Sequence, residues 1–270
     1  MRDAHLAYLL LAATLPATAQ HAQHAEHAPP SPAAAASVSD ADRTAAFPDL
    51  GSMHMADMHL EDPLNKLVLL DRLESQNASG GDVLAWNLEA WVGRDLNKLW
   101  IRSEGERQSG DTERAELELL YGRGFWRWWE LVAGARIDFA PAGDQSWAAV
   151  GVRGLTPYRF DVEATAYFGS GGRAALRLET TYELLVTNRW ILEPLLELNW
   201  HGQTDTARAV GAGLSAGDLG LRLRYEVQRE IAPYFGLMRE RSFGRTADLA
   251  RAAGHDPDDT RFVAGIRLWF

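Results

Sequence analysis

The last ten residues, RFVAGIRLWF at 261–270, set Phe262, Ala264, Ile266, Leu268 and Phe270 on one side of the chain and Arg261 and Arg267 on the other. That period of two belongs to a β-strand with one apolar face. From Leu84 onward nearly every segment repeats it. Leu84, Trp86, Leu88, Ala90 and Val92 share a face against Asn87 and Glu89; Ala115, Leu117, Leu119 and Tyr121 oppose Arg114, Glu116 and Glu118. Phe160, Val162, Ala164, Ala166 and Phe168 oppose Asp161, Glu163, Thr165 and Tyr167. Such strands have one apolar and one wet side, so the chain is all-β, and the apolar sides need a cover.

A lipid bilayer is the cover that fits. No apolar run after the N-terminal leader approaches the twenty or so residues of a membrane helix, and mean hydropathy is −0.25. Alternating strands escape such averages, so a transmembrane β-barrel remains open. A closing strand that ends on Phe resembles the sorting signal of bacterial outer-membrane barrels. Trp190 and Trp200 lie ten positions apart on one strand face, the spacing of two membrane interfaces. Turn signals at 94–97, 109–111, 141–144, 169–172 and 216–218 predict an antiparallel barrel of about 12 strands, at roughly 9–11 membrane-spanning residues each. An even number of strands returns both ends to the periplasmic side, which leaves the long segment 242–260 outside the cell.

Ahead of the barrel the sequence divides into three zones. Residues 1–19 pair Arg2 with the apolar run 6–16 and end in Ala17-Thr18-Ala19, the form of a signal peptide. Residues 20–51, rich in Ala, Pro, Ser and His, predict a disordered periplasmic arm. Residues 52–83 hold a Met/His cluster and then a linker or plug, with 65–73 as a helical segment; the barrel is expected over 84–270.

The chain has no Cys, which removes disulfides and thiolate metal sites. Soft metal ligands must then be Met and His. Met53, His54, Met55, Met58 and His59 fall within seven residues, and three of the four methionines beyond the initiator are among them. Thioether sulfur selects Cu(I) and imidazole suits Cu(I) and Cu(II), so copper is the metal expected. A flexible apolar anchor is the bland alternative for the three methionines. His21, His24 and His27 recur every third residue and offer a second set of imidazoles, or belong simply to a low-complexity arm. By alternation His201 and Met238 point inward and are candidate copper relays. The net charge of −10 disfavours nucleic acid and favours cationic partners. Taking polar faces as inward gives a lumen with more acid than base, among them Glu104, Glu116, Glu163, Glu179, Glu197 and Glu226 against Arg102, Arg136, Arg159, Arg177 and Arg222. An acidic lumen also fits a general cation-selective porin-like channel without a copper site. No Ser/His spacing indicates an enzyme.

The segments Met53-His54-Met55, 68–74 (VLLDRLE), 80–86 (GGDVLAW), 97–100 (NKLW) with Glu104-Gly105-Glu106, 221–226 (LRLRYE), Ala232-Pro233-Tyr234 and Arg267-Leu268-Trp269-Phe270 resemble the copper resistance protein B family of bacterial outer membranes. The resemblance implies an outer-membrane barrel of a copper-resistance system that contacts lipid and copper ions and works beside a periplasmic multicopper oxidase. Family members often carry long Met/His repeats where this chain has one cluster, so high-capacity sequestration is not expected of it.

Overall fold

The computed structural model describes residues 39–46, 62–78 and 80–270. The signal peptide, most of the arm, His21, His24, His27 and the heptad 53–59 lie outside them. Within the expected disordered arm one helix is described, α1 (Asp40–Ala46). Ser39 caps it: its Oγ accepts from Asp42 N at 3.1 Å, and Asp42 Oδ2 accepts from Ser39 Oγ at 2.7 Å and Ser39 N at 3.0 Å. Those two donations hold the Asp42 carboxyl below its ordinary value.

The second unit is a closed antiparallel barrel of twelve long strands. They are β1 (Asn65–Ala78), β2 (Gly81–Gly93), β3 (Asn97–Gln108), β4 (Asp111–Trp126), β5 (Trp129–Phe139) and β6 (Gln145–Leu155), then β7 (Phe160–Gly169), β8 (Ala174–Tyr182), β9 (Trp190–His201), β10 (Gly213–Tyr225), β11 (Ile231–Ser242) and β12 (Asp258–Trp269). A two-residue segment, Leu184–Leu185, pairs with the start of β9. Each strand pairs with its chain neighbours, and β12 pairs with β1 to close the ring. Phe270 extends the seam, exchanging two backbone hydrogen bonds with Val68 at 2.8 and 3.0 Å. Both ends of the barrel chain therefore lie at one rim. Closure leaves no unpaired sheet edge, the condition for β-structure in lipid.

Strand number and alternation agree with the sequence reading, but the barrel begins earlier. Residues 65–78, expected as linker or plug, are β1. A β-bulge hid it: Leu70 opposes Leu88 and Arg72 opposes Asn87, so Asp71 has no partner on β2. Leu69 and Asp71 point inward before the bulge; Arg72, Glu74 and Gln76 point inward after it. The phase change leaves Leu67, Leu70 and Leu73 at a helix-like spacing. Residues 216–218 are mid-strand, not a turn; Gly217 is glycine because Phe243 and Leu198 pack over it, with a Cβ there meeting their rims at 3.0 and 3.1 Å. Arg159 and Glu226 lie in turns at the terminal rim rather than on strands. The long segment after β11 carries α2 (Gly244–Ala252).

Leu119, Leu219 and Phe235 are more than half exposed on the outer face, an apolar belt that a bilayer covers. Trp126, Trp128, Trp190 and Trp269 mark the terminal rim, whereas Trp91, Trp100 and Trp147 point inward and join Leu120, Val132, Ala149 and Tyr167 as an apolar wall inside the barrel. The bulge makes a contrast testable. Deleting Asp71 regularises β1 without changing which side faces in, so folded barrel, scored by heat-modifiable electrophoretic mobility, should persist. Deleting Ser75 turns Glu74 toward lipid and should abolish it.

Candidate functional site

Inside the barrel two cavities are stacked along the axis, about 360 Å³ toward the terminal rim and about 670 Å³ toward the opposite rim. Glu104, Glu116, Tyr167 and Arg177 line both and form the layer between them. Ion pairs cross the lumen here. Arg177 on β8 reaches Glu116 on β4 at 2.6 Å and Glu104 on β3 at 3.5 Å, and Arg72 reaches Glu104 at 3.7 Å. Below the layer Arg153 on β6 grips Glu89 on β2 with two bonds of 3.0 and 3.2 Å, and Arg102 on β3 binds Glu163 on β7. Apart from Arg72 and Glu104, which lie two strands apart, each pair joins walls four or five strands apart. Long guanidinium side chains thus fill the middle of the lumen, where bidentate pairing with carboxylates is strong.

The most deeply buried pair is Glu74 with Arg222. Glu74 is 1% exposed and accepts from Arg222 Nε and Nη2 at 3.0 and 2.9 Å, from Tyr234 Oη at 3.0 Å and from Gln76 Nε2 at 2.9 Å. This node ties β1 to β10 and β11 across the seam. Sequence reading missed Glu74 because the bulge obscured the strand that carries it. The inward tryptophans were missed for another reason: their N–H groups find acceptors inside, Trp100 donating to Glu130 at 2.6 Å and Trp147 to Asp138 at 2.8 Å.

His201 and Met238 both line the larger cavity, as alternation predicts. They do not meet. His201 opposes Gly213 and Met238 opposes Gly220 on the intervening β10, about 20 Å apart along the strand. Met238 Sδ accepts from Gln76 Nε2 at 3.8 Å. His201 Nδ1 lies 2.9 Å from Ser215 Oγ, and Ser215 Oγ donates to Asn199 O at 2.9 Å. The one hydroxyl hydrogen is thereby used, so the ring is the donor and Nε2 keeps the lone pair. This Ser/His contact is the reverse of an activated nucleophile, in which the hydroxyl donates to the ring. Among the described residues no three His, Asp or Glu side chains converge as a metal cage.

Residues 64–270 match the family model described as copper resistance protein B precursor (CopB). The chain belongs to the copper resistance protein B family. It is 46% identical over 233 residues to the copper resistance protein B of Escherichia coli, covering 86% of this chain and 77% of that protein. It is likewise 46% identical over 233 residues to the copper resistance protein B homolog of Pseudomonas syringae pv. tomato, covering 86% and 78%. Among solved structures the barrel resembles the NanC porin, with a TM-score of 0.50 at 13% identity over 73% of this chain and 98% of that one, a likeness of fold. The protein is thus an outer-membrane barrel with a copper-resistance role.

The Glu74 node sets an expectation for stability. Glu74→Ala leaves Arg222 buried without a carboxylate and should lower barrel stability by about 3–5 kcal/mol in urea unfolding from micelles. Glu74→Leu combined with Arg222→Met should recover most of that loss.

Proposed function

We propose that this protein is a non-enzymatic copper handler whose Met53, His54, Met55, Met58 and His59 capture copper on the periplasmic side, and whose acidic lumen holds or passes the ion. The donor set of the heptad carries the proposal: three thioethers and two imidazoles in seven residues match copper better than any hard cation. The leader at 1–19 exports the chain, and the arm with His21, His24 and His27 precedes the heptad. Five residues separate His59 from Asn65, the first residue of β1, so in the chain the heptad immediately precedes the strand that closes the barrel with the C-terminus. His201, whose Nε2 keeps its lone pair, and Met238 are secondary contacts inside the lumen. A periplasmic multicopper oxidase of the same system is the partner that the family resemblance suggests.

The reading as a general cation porin draws on the acidic lumen alone. The ion-paired layer of Arg72, Glu104, Glu116 and Arg177 counts against it, because an unselective pore needs a continuous water column. The Ser215 geometry counts against a hydrolase.

The test is a Cu(I) titration of the full chain in detergent against a chromophoric chelator. Changing Met53, Met55 and Met58 together to Leu should weaken Cu(I) binding at least 100-fold with barrel mobility on gels unchanged. Undiminished affinity in that variant would overturn the heptad assignment.

A further inference from the structure

The hydrogen-bond register aligns six inward carboxylates into one unbroken row across half of the barrel wall. Glu163 on β7 opposes Glu179 on β8, which opposes Glu197 on β9; Glu197 opposes Asp218 on β10, Asp218 opposes Glu240 on β11, and Glu240 opposes Asp259 on β12. Glu163 and Glu179 line the cavity on the terminal side of the ion-paired layer, and Glu197, Asp218 and Glu240 line the cavity on the far side. Because barrel strands tilt, a row perpendicular to the strands climbs along the wall. Where it crosses from one cavity to the other, between Glu179 and Glu197, it meets the layer: Arg177 binds Glu197 at 3.3 Å.

Like charges directly opposite on neighbouring strands repel. Four of the six have cationic partners: Arg102 and Arg153 at Glu163, Arg177 at Glu197, and Arg261 shared by Glu240 and Asp259. Among the described residues Glu179 and Asp218 have none within 4 Å. Asp218 is the sharper case. It is 6% exposed, it lines the larger cavity, and its Oδ1 is buried with no hydrogen-bond partner. A buried carboxylate oxygen without a donor, flanked on both sides by carboxylates, is arranged for a cation.

We propose that this row is a transit track for divalent cations through the barrel, with Asp218 as its central post and Glu197 and Glu240 as the groups that receive and release the ion. Oxygen donors favour hard or borderline divalent ions, among which Cu(II) is bound most tightly, over Cu(I). Met238 lies diagonally from Asp218, opposite Gly220, and adds one soft donor on the same side. Glu197 and Glu240 are already engaged by Arg177 and Arg261, so the ion is held weakly and exchanges, as a conducting site requires. The proposal deepens the lumen part of the proposed function and stands independently of the heptad.

The test uses the full chain in detergent, titrated with Mn(II) and followed by the electron paramagnetic resonance signal of the free ion, then back-titrated with Cu(II). Mn(II) prefers oxygen, so the heptad contributes little to its retention. Mn(II) should bind equally to the parent and to the variant with Met53, Met55 and Met58 changed to Leu, and Cu(II) should displace it. Asp218→Asn should weaken binding at least tenfold while Asp218→Glu retains it; Glu240→Gln, with about a threefold loss, gives a second reading. Removing the Asp218 charge should also raise the thermal midpoint of the ion-free barrel and reduce its further rise on adding Cu(II). Unchanged Mn(II) affinity in Asp218→Asn, or Mn(II) that Cu(II) does not displace, overturns the track. If Mn(II) results stand while Cu(I) binding ignores the heptad, the heptad reading falls and the track survives.

Discussion

The pairing of β1 with β12, sealed by the exchange of hydrogen bonds between Val68 and Phe270, is the contact on which everything else rests. A bilayer offers no water to an open sheet edge, so twelve strands hold together only as a ring. The ring then imposes alternation, one side chain to lipid and the next to a narrow lumen. The Asp71 bulge is the one place where β1 changes phase, and it lets Asp71 face Arg267 at 3.1 Å while Glu74 reaches Arg222 on β10.

A lumen crowded with charge has two ways of meeting its electrostatic cost. Guanidinium groups pair with carboxylates across the axis, and this fills the middle of the barrel between its two cavities. Where acid exceeds base, the remainder attracts cations from outside. Both occur here. Arg–carboxylate bridges run around the whole wall, from Arg102 and Arg153 to Arg177, Arg222 and Arg261; the aromatic packing lies on the β3–β7 side, and the carboxylate row, in which Glu179 and Asp218 have no cationic partner among the described residues, on the β7–β12 side.

Much of the fold was legible in the chain. Alternation alone placed Glu116, Glu163, Glu197, His201 and Met238 on the inner face, because a strand in a barrel has no third direction to point. The first strand was not legible, since a single extra residue at Asp71 breaks the period on which such reading depends. Nor were the inward Trp100 and Trp147, whose ring N–H groups are satisfied by Glu130 and Asp138 in ways no composition signals. The carboxylate row was hidden more deeply. Each of its members shows as an inward acid, but their adjacency depends on inter-strand register, which turns and bulges set jointly. The candidate metal ligands of the heptad, in contrast, declare themselves through residue type and need no fold.

Copper handling and free cation passage make opposite demands on the lumen, so ionic conductance separates them most directly. In a planar bilayer of defined lipid with potassium chloride on both sides, the full chain should show a single-channel conductance far below that of an open porin of similar strand number, and Arg177→Ser should raise it. A large potassium conductance in the unaltered protein, insensitive to added Cu(II), would contradict a copper-directed barrel and return the general cation pore as the better description.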